Sequence, residues 1–282
     1  AVNQYRPDFV FHLAAQPLVR RSYLEPHETF ATNTGGTLNM LEALRGSNHP
    51  CAAVFITSDK CYDNVEQLWG YRENDRLGGK DPYSGSKGAA ELIIRSYAAS
   101  FFNSDSSVRV AVGRAGNVIG GGDWSPNRIV PDCVKAWSKN KVVIIRNPKS
   151  TRPWQHVLDI IYGYMKLAIK LKQNSRLHGE AFNFGPDENN FRVIDVLNKM
   201  RIYWPKITWM IKNQNKFKEN NLLHLNSNKS KKTLKWKTVL NFSNSVKFTV
   251  EWYKHYLRNK KNIHDYSLKQ ISKYLEILKK TN

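Results

Sequence analysis

No stretch of the 282-residue chain approaches 18 consecutive apolar residues, so no membrane-crossing helix is expected. Cysteine is scarce. Cys51, Cys61 and Cys133 are odd in number and lack metal-ligand spacing. That argues against a disulfide framework or a metal site and fits a reducing cytoplasm. Acidic residues are also few, 23 against 44 Lys and Arg, which leaves a net charge of +21. Such a charge invites a nucleic-acid reading. Its distribution argues otherwise. From Phe191 onward there are 21 basic and 5 acidic residues, with Lys interleaved among Asn, Ile and Ser and no zinc-finger or RNP motif. A solvated basic surface is the expected reading, with no nucleic-acid partner. Apolar residues at 41% and aromatics at 12% exclude a disordered chain and suffice for a sizeable core. No internal repeat or low-complexity linker occurs.

Strand and helix signals alternate over the first 120 residues, which predicts an α/β fold with a parallel sheet. Residues 10–16 read as a buried strand ending in small residues, and 52–56 and 108–112 read as two more. Helices are expected over 1–5, 26–44 and 82–102. Further on, helix 130–139, strand 142–145, amphipathic helix 154–172 and strand 181–184 follow, then a smaller α+β lobe and a helical tail.

Two clusters carry chemistry. Tyr83 and Lys87 stand four apart and so share a helix face. A neighbouring ammonium lowers a phenol's pKa from about 10 and lets it act as a base near neutrality. Ser58, Asp59 and Lys60 follow the apolar run 52–56, at the carboxyl end of a strand, where open α/β sheets place their chemistry. Oxidation needs only the first pair, whereas an elimination uses a second acid and base as well.

Seven runs carry a family resemblance: HLAAQPLVRRSY (12–23), TSDKCYDN (57–64), WGYREND (69–75), DPYSGSKGAAEL (81–92), RAGNVIGGGDW (114–124), VIIRNP (143–148) and RPWQHVLD (152–159). In this order they resemble the extended short-chain dehydrogenase/reductases, and within them the CDP-glucose 4,6-dehydratase branch. Leu234-Lys235-Trp236 and His264-Asp265-Tyr266-Ser267 fit more loosely. The resemblance implies a Rossmann-type doubly wound parallel sheet with a smaller α+β substrate-binding lobe. It implies NAD as cofactor, CDP-glucose as substrate, a homodimer or higher homo-oligomer, and a place in nucleotide-sugar and surface-polysaccharide biosynthesis. The cofactor domain is expected over 1–118, with 151–184 returning to its sheet. The substrate lobe and tail are expected over 119–150 and 185–282.

The glycine-rich turn that cradles a dinucleotide pyrophosphate after the first strand is absent. Gly120-Gly121-Gly122 does not replace it, because it follows a late strand. By comparison with the family the sheet is expected to be incomplete, with roughly 70 residues and the first βαβ unit lacking. A chain of that kind is expected to expose a sheet edge and to be inactive alone.

The family reaction is an internal redox elimination, in which hydride leaves C4 of the glucose ring, water leaves across C5 and C6, and hydride returns to C6. By resemblance Tyr83 takes the 4-hydroxyl proton and Lys87 holds the nicotinamide ribose. Ser58 bonds the 4-oxygen, and Asp59 protonates the leaving 6-hydroxyl. Lys60 stands where the dTDP-glucose dehydratases carry a Glu and is the expected C5 base, a role that requires its neutral form. Ala14, Ala15 and Asn33 are cofactor candidates. Asn117 and Arg152 are substrate candidates for the sugar or diphosphate, and Gln16 and Arg21 for the sugar side. His12, His156 and Cys61 are expected to pack, as are Trp69, Trp124 and Trp154. Competing readings are a 4-epimerase or a dehydratase acting on another nucleotide sugar, a basic nucleic-acid-binding remnant, and an inactive fragment.

Overall fold

The computed structural model describes residues 1–103, 106–187, 191–205, 207–212 and 222–281. In chain order its main elements are α1 (Val2–Tyr5), β1 (Phe9–His12), α2 (Val19–Leu24), α3 (Pro26–Phe30), α4 (Gly36–Arg45) and β2 (Cys51–Ile56). Next come α5 (Pro82–Ser100), β3 (Val108–Ala115), β4 (Val118–Ile119), α6 (Ile129–Trp137), β5 (Val143–Ile145) and β6 (Gln155–His156). The rest are α7 (Val157–Gln173), β7 (Ala181–Phe184), α8 (Val193–Tyr203), β8 (Trp209–Ile211), α9 (Phe242–Arg258) and α10 (Ile263–Thr281). They form two units. The first comprises Ala1–Gly116, Tyr162–Phe184 and His224–Trp236, and the second Asn117–Ile161, Gly185–Leu223 and Lys237–Asn282.

The first unit is built on a four-stranded sheet in the order β1-β2-β3-β7. Every neighbouring pair is parallel, with Val54 beside Phe11 on one side and Ala111 on the other. β2 is a continuous apolar run because both of its faces are covered. On one face Leu41 and Leu44 of α4 and Ile94 and Ala98 of α5 pack against Phe55, Val110 and Val112. Each large side chain buried there contributes about 1.5–3 kcal/mol. The exposed Arg21–Glu25 and Arg21–Glu28 ion pairs contribute about 1 kcal/mol or less, so apolar packing holds this unit together. On the opposite face α7 lies close enough that Gly113 has to be glycine. A Cβ there would stand 2.8 Å from a Tyr164 ring carbon.

Several expectations are corrected. The first strand is shorter than 10–16 and is not buried: it lies at the sheet edge, with Phe9 37% and Phe11 39% exposed. The helix expected over 26–44 widens into a π-type turn at Ala31–Gly35. The segment expected as helix 154–172 first forms β6, which pairs with β4 before α7 begins. Trp69 is 68% exposed on its loop rather than packed, whereas Trp154 is buried as expected.

The second unit packs α6, α8 and α9 around Val130, Val134, Trp137, Val196, Leu197, Met200, Val246 and Tyr253, with β5 paired to β8. Asp159 is fully buried in the first turn of α7. It accepts hydrogen bonds from the Val239 N–H (2.8 Å), the Leu240 N–H (3.3 Å) and the Tyr274 hydroxyl (2.9 Å), which fastens α10 to this unit. Among the described residues no helix is long and apolar enough to cross a membrane.

Candidate active site

β2 delivers the first cluster. After Ile56 the chain leaves the sheet through Thr57 and closes a 3-10 turn at Asp59–Cys61. Ser58 caps that turn. Its Oγ accepts from the Lys60 N–H (3.2 Å) and donates to Asp59 Oδ1 (2.9 Å). A serine is suited to this position because one hydroxyl both accepts and donates. Asp59 is 2% exposed, while Lys60 is half-buried.

α5 delivers the second. Asp81 caps it, accepting from the Ser84 N–H (3.0 Å) and the Ser84 hydroxyl (2.6 Å), and Pro82 supplies the first helical position. The Tyr83 N–H is bonded to Ser22 Oγ (3.1 Å), so the start of the helix is also anchored to α2. Tyr83 and Lys87 are both buried. The Lys87 ammonium donates to the Ile56 carbonyl over 3.5 Å, at the carboxyl end of β2. Gly88 lets the helix rest on the Asp59–Cys61 turn. A Cβ there would stand 2.9 Å from the Gly78 carbonyl oxygen and 3.4 Å from that of Cys61. The structure therefore brings Ser58, Asp59, Lys60, Tyr83 and Lys87 together at one end of the parallel sheet.

Electrostatics follow from the burial. Burial pushes Lys87 down from 10.5 to about 8, against the opposing pull of Cys61 and Glu91. His12 is lowered by burial and by Lys87, and it packs edge-on against Phe55. Tyr164 is raised by burial first and then by Tyr83 and Asp59, so its hydroxyl lies within electrostatic reach of both. The Cys61 thiol is fully buried and raised well above its usual range by desolvation.

Lys87 also sets a stability prediction. A cation held at about 8 in the fold and near 10.5 unfolded destabilises the native state below pH 8, and that penalty disappears as pH rises through 10.5. Lys87→Met is expected to raise stability at pH 7 by up to about 3 kcal/mol. The gain over the parent should shrink between pH 8 and 10.5. Chemical denaturation of both proteins across that range measures it. A variant less stable than the parent at pH 7 overturns the argument.

The remaining candidates are placed differently. Ala14 is exposed and Ala15 half-buried just beyond β1. Asn33 is buried, with its carbonyl accepting from the Gln16 N–H (2.7 Å) and its amide donating to the Gln16 carbonyl (3.1 Å) and to Ser86 Oγ (2.9 Å). Gln16 is itself tied to Leu18 and to Thr29 Oγ1 (2.8 Å). Both side-chain amides are therefore bonded within the protein, that of Asn33 to the Gln16 backbone and Ser86, and that of Gln16 to the Leu18 backbone and Thr29. Arg21 lies on the surface, paired with Glu25 and Glu28. Asn117 and Arg152 belong to the second unit. There the Asn117 carbonyl accepts from the Gln155 N–H (3.1 Å), and the buried Arg152 donates to the Thr151 carbonyl (2.7 Å). Sequence reasoning missed Glu91 and Arg114, which form a buried ion pair behind the Ser58–Lys60 turn. The available signal was an acidic residue one helical turn after Lys87 on a buried face.

Comparison with known proteins agrees with this geometry. Residues 1–185 match the model of the NAD dependent epimerase/dehydratase family. The chain is similar to the CDP-glucose 4,6-dehydratase of Salmonella typhimurium, with 41% identity over 94% of this chain and 78% of that protein. Among solved structures it resembles an epimerase from Methanothermobacter thermautotrophicus, with a TM-score of 0.80 and 21% identity over 94% of this chain and 76% of that one. It also resembles the dTDP-glucose 4,6-dehydratase of Bacillus anthracis in complex with NAD, with a TM-score of 0.73 and 20% identity over 92% and 76% of the two chains. These two likenesses bear on the fold, a Rossmann-type parallel sheet. The parallel sheet, the site at its carboxyl end and the match over residues 1–185 lead to one assignment: the chain belongs to the NAD dependent epimerase/dehydratase family.

Proposed function

We propose that this protein carries out the NAD-dependent dehydration of CDP-glucose to CDP-4-dehydro-6-deoxyglucose and water. The observation that carries the reading is the packing of the buried Tyr83/Lys87 pair against the Ser58–Asp59–Lys60 turn, in a chain 41% identical to a CDP-glucose 4,6-dehydratase. The residues present fit the ribose end of the cofactor. Of the three donors on the buried Lys87 ammonium, one is used among the described residues, over a long 3.5 Å, which leaves donors for a ribose diol. When bound, NAD supplies the group that accepts hydride from C4 and returns it at C6.

The chain's own residues account for the proton movements. Tyr83 removes the 4-hydroxyl proton, assisted by the positive charge of Lys87 one turn away. Ser58 donates to the 4-oxygen as charge develops there. The 4-ketone acidifies the C5 proton, which Lys60 removes while Asp59 protonates the departing 6-hydroxyl. Both groups sit on one short turn, so a single placement of the ring serves the acid and the base. Asn117 and Arg152 keep the sugar or diphosphate roles that the resemblance implies, and no step above rests on them. The reading includes a cytoplasmic homo-oligomer. Three free, buried cysteines support the reducing location.

The test is turnover of CDP-glucose, with NAD supplied, by a purified protein that carries these residues together with a glycine-rich pyrophosphate turn, which the 282 residues do not contain. A 4-keto-6-deoxy product with no net reduced nicotinamide is expected. Stoichiometric reduced nicotinamide without that product rejects the dehydratase reading. Conversion of another nucleotide sugar, with CDP-glucose untouched, moves the substrate.

A further inference from the structure

Behind the catalytic turn lies an ion pair that the proposed proton movements do not use. Arg114 of β3 and Glu91 of α5 meet through two parallel hydrogen bonds, Nε to Oε1 and Nη2 to Oε2, each 2.8 Å. Their side chains are 4% and 3% exposed. What the pair holds is specific. The Thr57 hydroxyl donates to Glu91 Oε1 (2.5 Å), and the Tyr62 hydroxyl accepts from Arg114 Nη1 (2.7 Å). Thr57 immediately precedes Ser58, and Tyr62 immediately follows Cys61. Both ends of the Ser58–Asp59–Lys60 turn are therefore bonded to one ion pair.

The pair is in turn fixed from outside. Arg114 Nη1 also donates to the Glu73 carbonyl (3.0 Å), and the guanidinium lies over the Tyr62 ring at 4.9 Å. The Tyr62 hydroxyl donates to Asn183 Oδ1 (2.7 Å) on β7. Glu91 stands one helical turn beyond Lys87 on α5, so the same carboxylate touches the helix that carries Tyr83 and the turn that carries Asp59 and Lys60. A buried ion pair is poor evidence for stability, because apolar residues of similar volume often serve as well. A planar bidentate fork is a good device for fixing geometry.

We propose that Glu91 and Arg114 are positioning residues for the dehydration, holding the Ser58–Lys60 turn in register with Tyr83 and Lys87. This rests on the function proposed above. Tyr83 has anchors in the Asp81 cap and the Ser22 bond that do not involve the pair, whereas the pair adds a side-chain bond on each flank of the turn, beside the backbone bonds of Thr57 to Gly113 and of Gly78 to Cys61. Loosening the pair therefore harms elimination more than oxidation at C4.

The decisive variant is the double replacement Glu91→Leu with Arg114→Met, which removes the bonds to Thr57 and Tyr62 while keeping apolar volume. Glu91→Gln and Arg114→Lys serve as milder singles. In the double variant kcat is expected to fall roughly 10²-fold, the effect of an ångström-scale misplacement, with little change in KM for CDP-glucose. Reduced nicotinamide should accumulate during turnover, because oxidation outruns elimination. Alkylation of Cys61, mapped by mass spectrometry without substrate, should be much faster than in the parent. The singles should fall between. A folded double variant with the parent's kcat overturns the proposal, as does a slowed one with no accumulation and Cys61 still protected. Failure of the double variant to fold overturns it too, since the pair would then be needed for the fold itself. If the parent does not dehydrate CDP-glucose, the function reading fails, and Cys61 protection still decides whether the pair holds the turn.

Discussion

Tyr83→Phe is expected to lower CDP-glucose turnover by roughly 10²–10⁴-fold, the range for loss of a positioned acid or base. In the proposed reaction the buried phenol on α5 takes the 4-hydroxyl proton, with Lys87 one turn away held in place to assist it. The substitution should leave the fold intact. The bond to Ser22 is made by the Tyr83 backbone, and the ring that fills the site remains. No reduced nicotinamide should form in a single turnover, because the block precedes oxidation at C4. Rapid-mixing absorbance of the reduced cofactor, together with product analysis, measures both effects. Turnover within tenfold of the parent would remove Tyr83 from the role of base.

Lys60→Met is expected to be about as severe in overall turnover but to fail at a later point. Lys60 contributes to the turn through its backbone N–H on Ser58 Oγ, so shortening the side chain should not displace Asp59. Oxidation at C4 should proceed and reduced nicotinamide should accumulate, while exchange of solvent deuterium into C5 slows in step with product formation. The two variants thus separate the clusters: absence of the reduced cofactor in one, its accumulation in the other. Deuterium entering C5 at the parent rate in Lys60→Met would show that another group is the base.

Much of this site was legible from local pattern. Asp81-Pro82 announces a helix start through capping chemistry, and the four-residue spacing puts Tyr83 and Lys87 on one face whatever the helix packs against. The apolar run of β2 signals a strand covered on both faces and places Ser58 just beyond its end. Other readings depended on partners distant in sequence. Asn33 and Gln16 have side chains suited to ligand binding, yet the Asn33 side chain is bonded to the Gln16 backbone 17 positions away, and the Gln16 side chain to Leu18 and Thr29. Phe9 and Phe11 belong to an apolar run, but β1 lies at the sheet edge, where one apolar run looks like another. Trp69 has a large apolar side chain and still points from a loop into solvent, because composition does not say what surrounds a loop.

By itself the sequence determined the parallel α/β architecture, the helix face shared by Tyr83 and Lys87, and the site of Ser58, Asp59 and Lys60 at a strand's end. These follow from periodicity, capping and spacing, which act over a few residues. Only the tertiary structure decided that α5 rests on the Ser58–Lys60 turn, and that Glu91 and Arg114, 23 residues apart, close a bidentate pair bonded to Thr57 and Tyr62. The physical reason is that hydrogen bonds and ion pairs form between whatever groups packing brings within about 3 Å. That proximity is a property of the assembled core and not of any local run of residues.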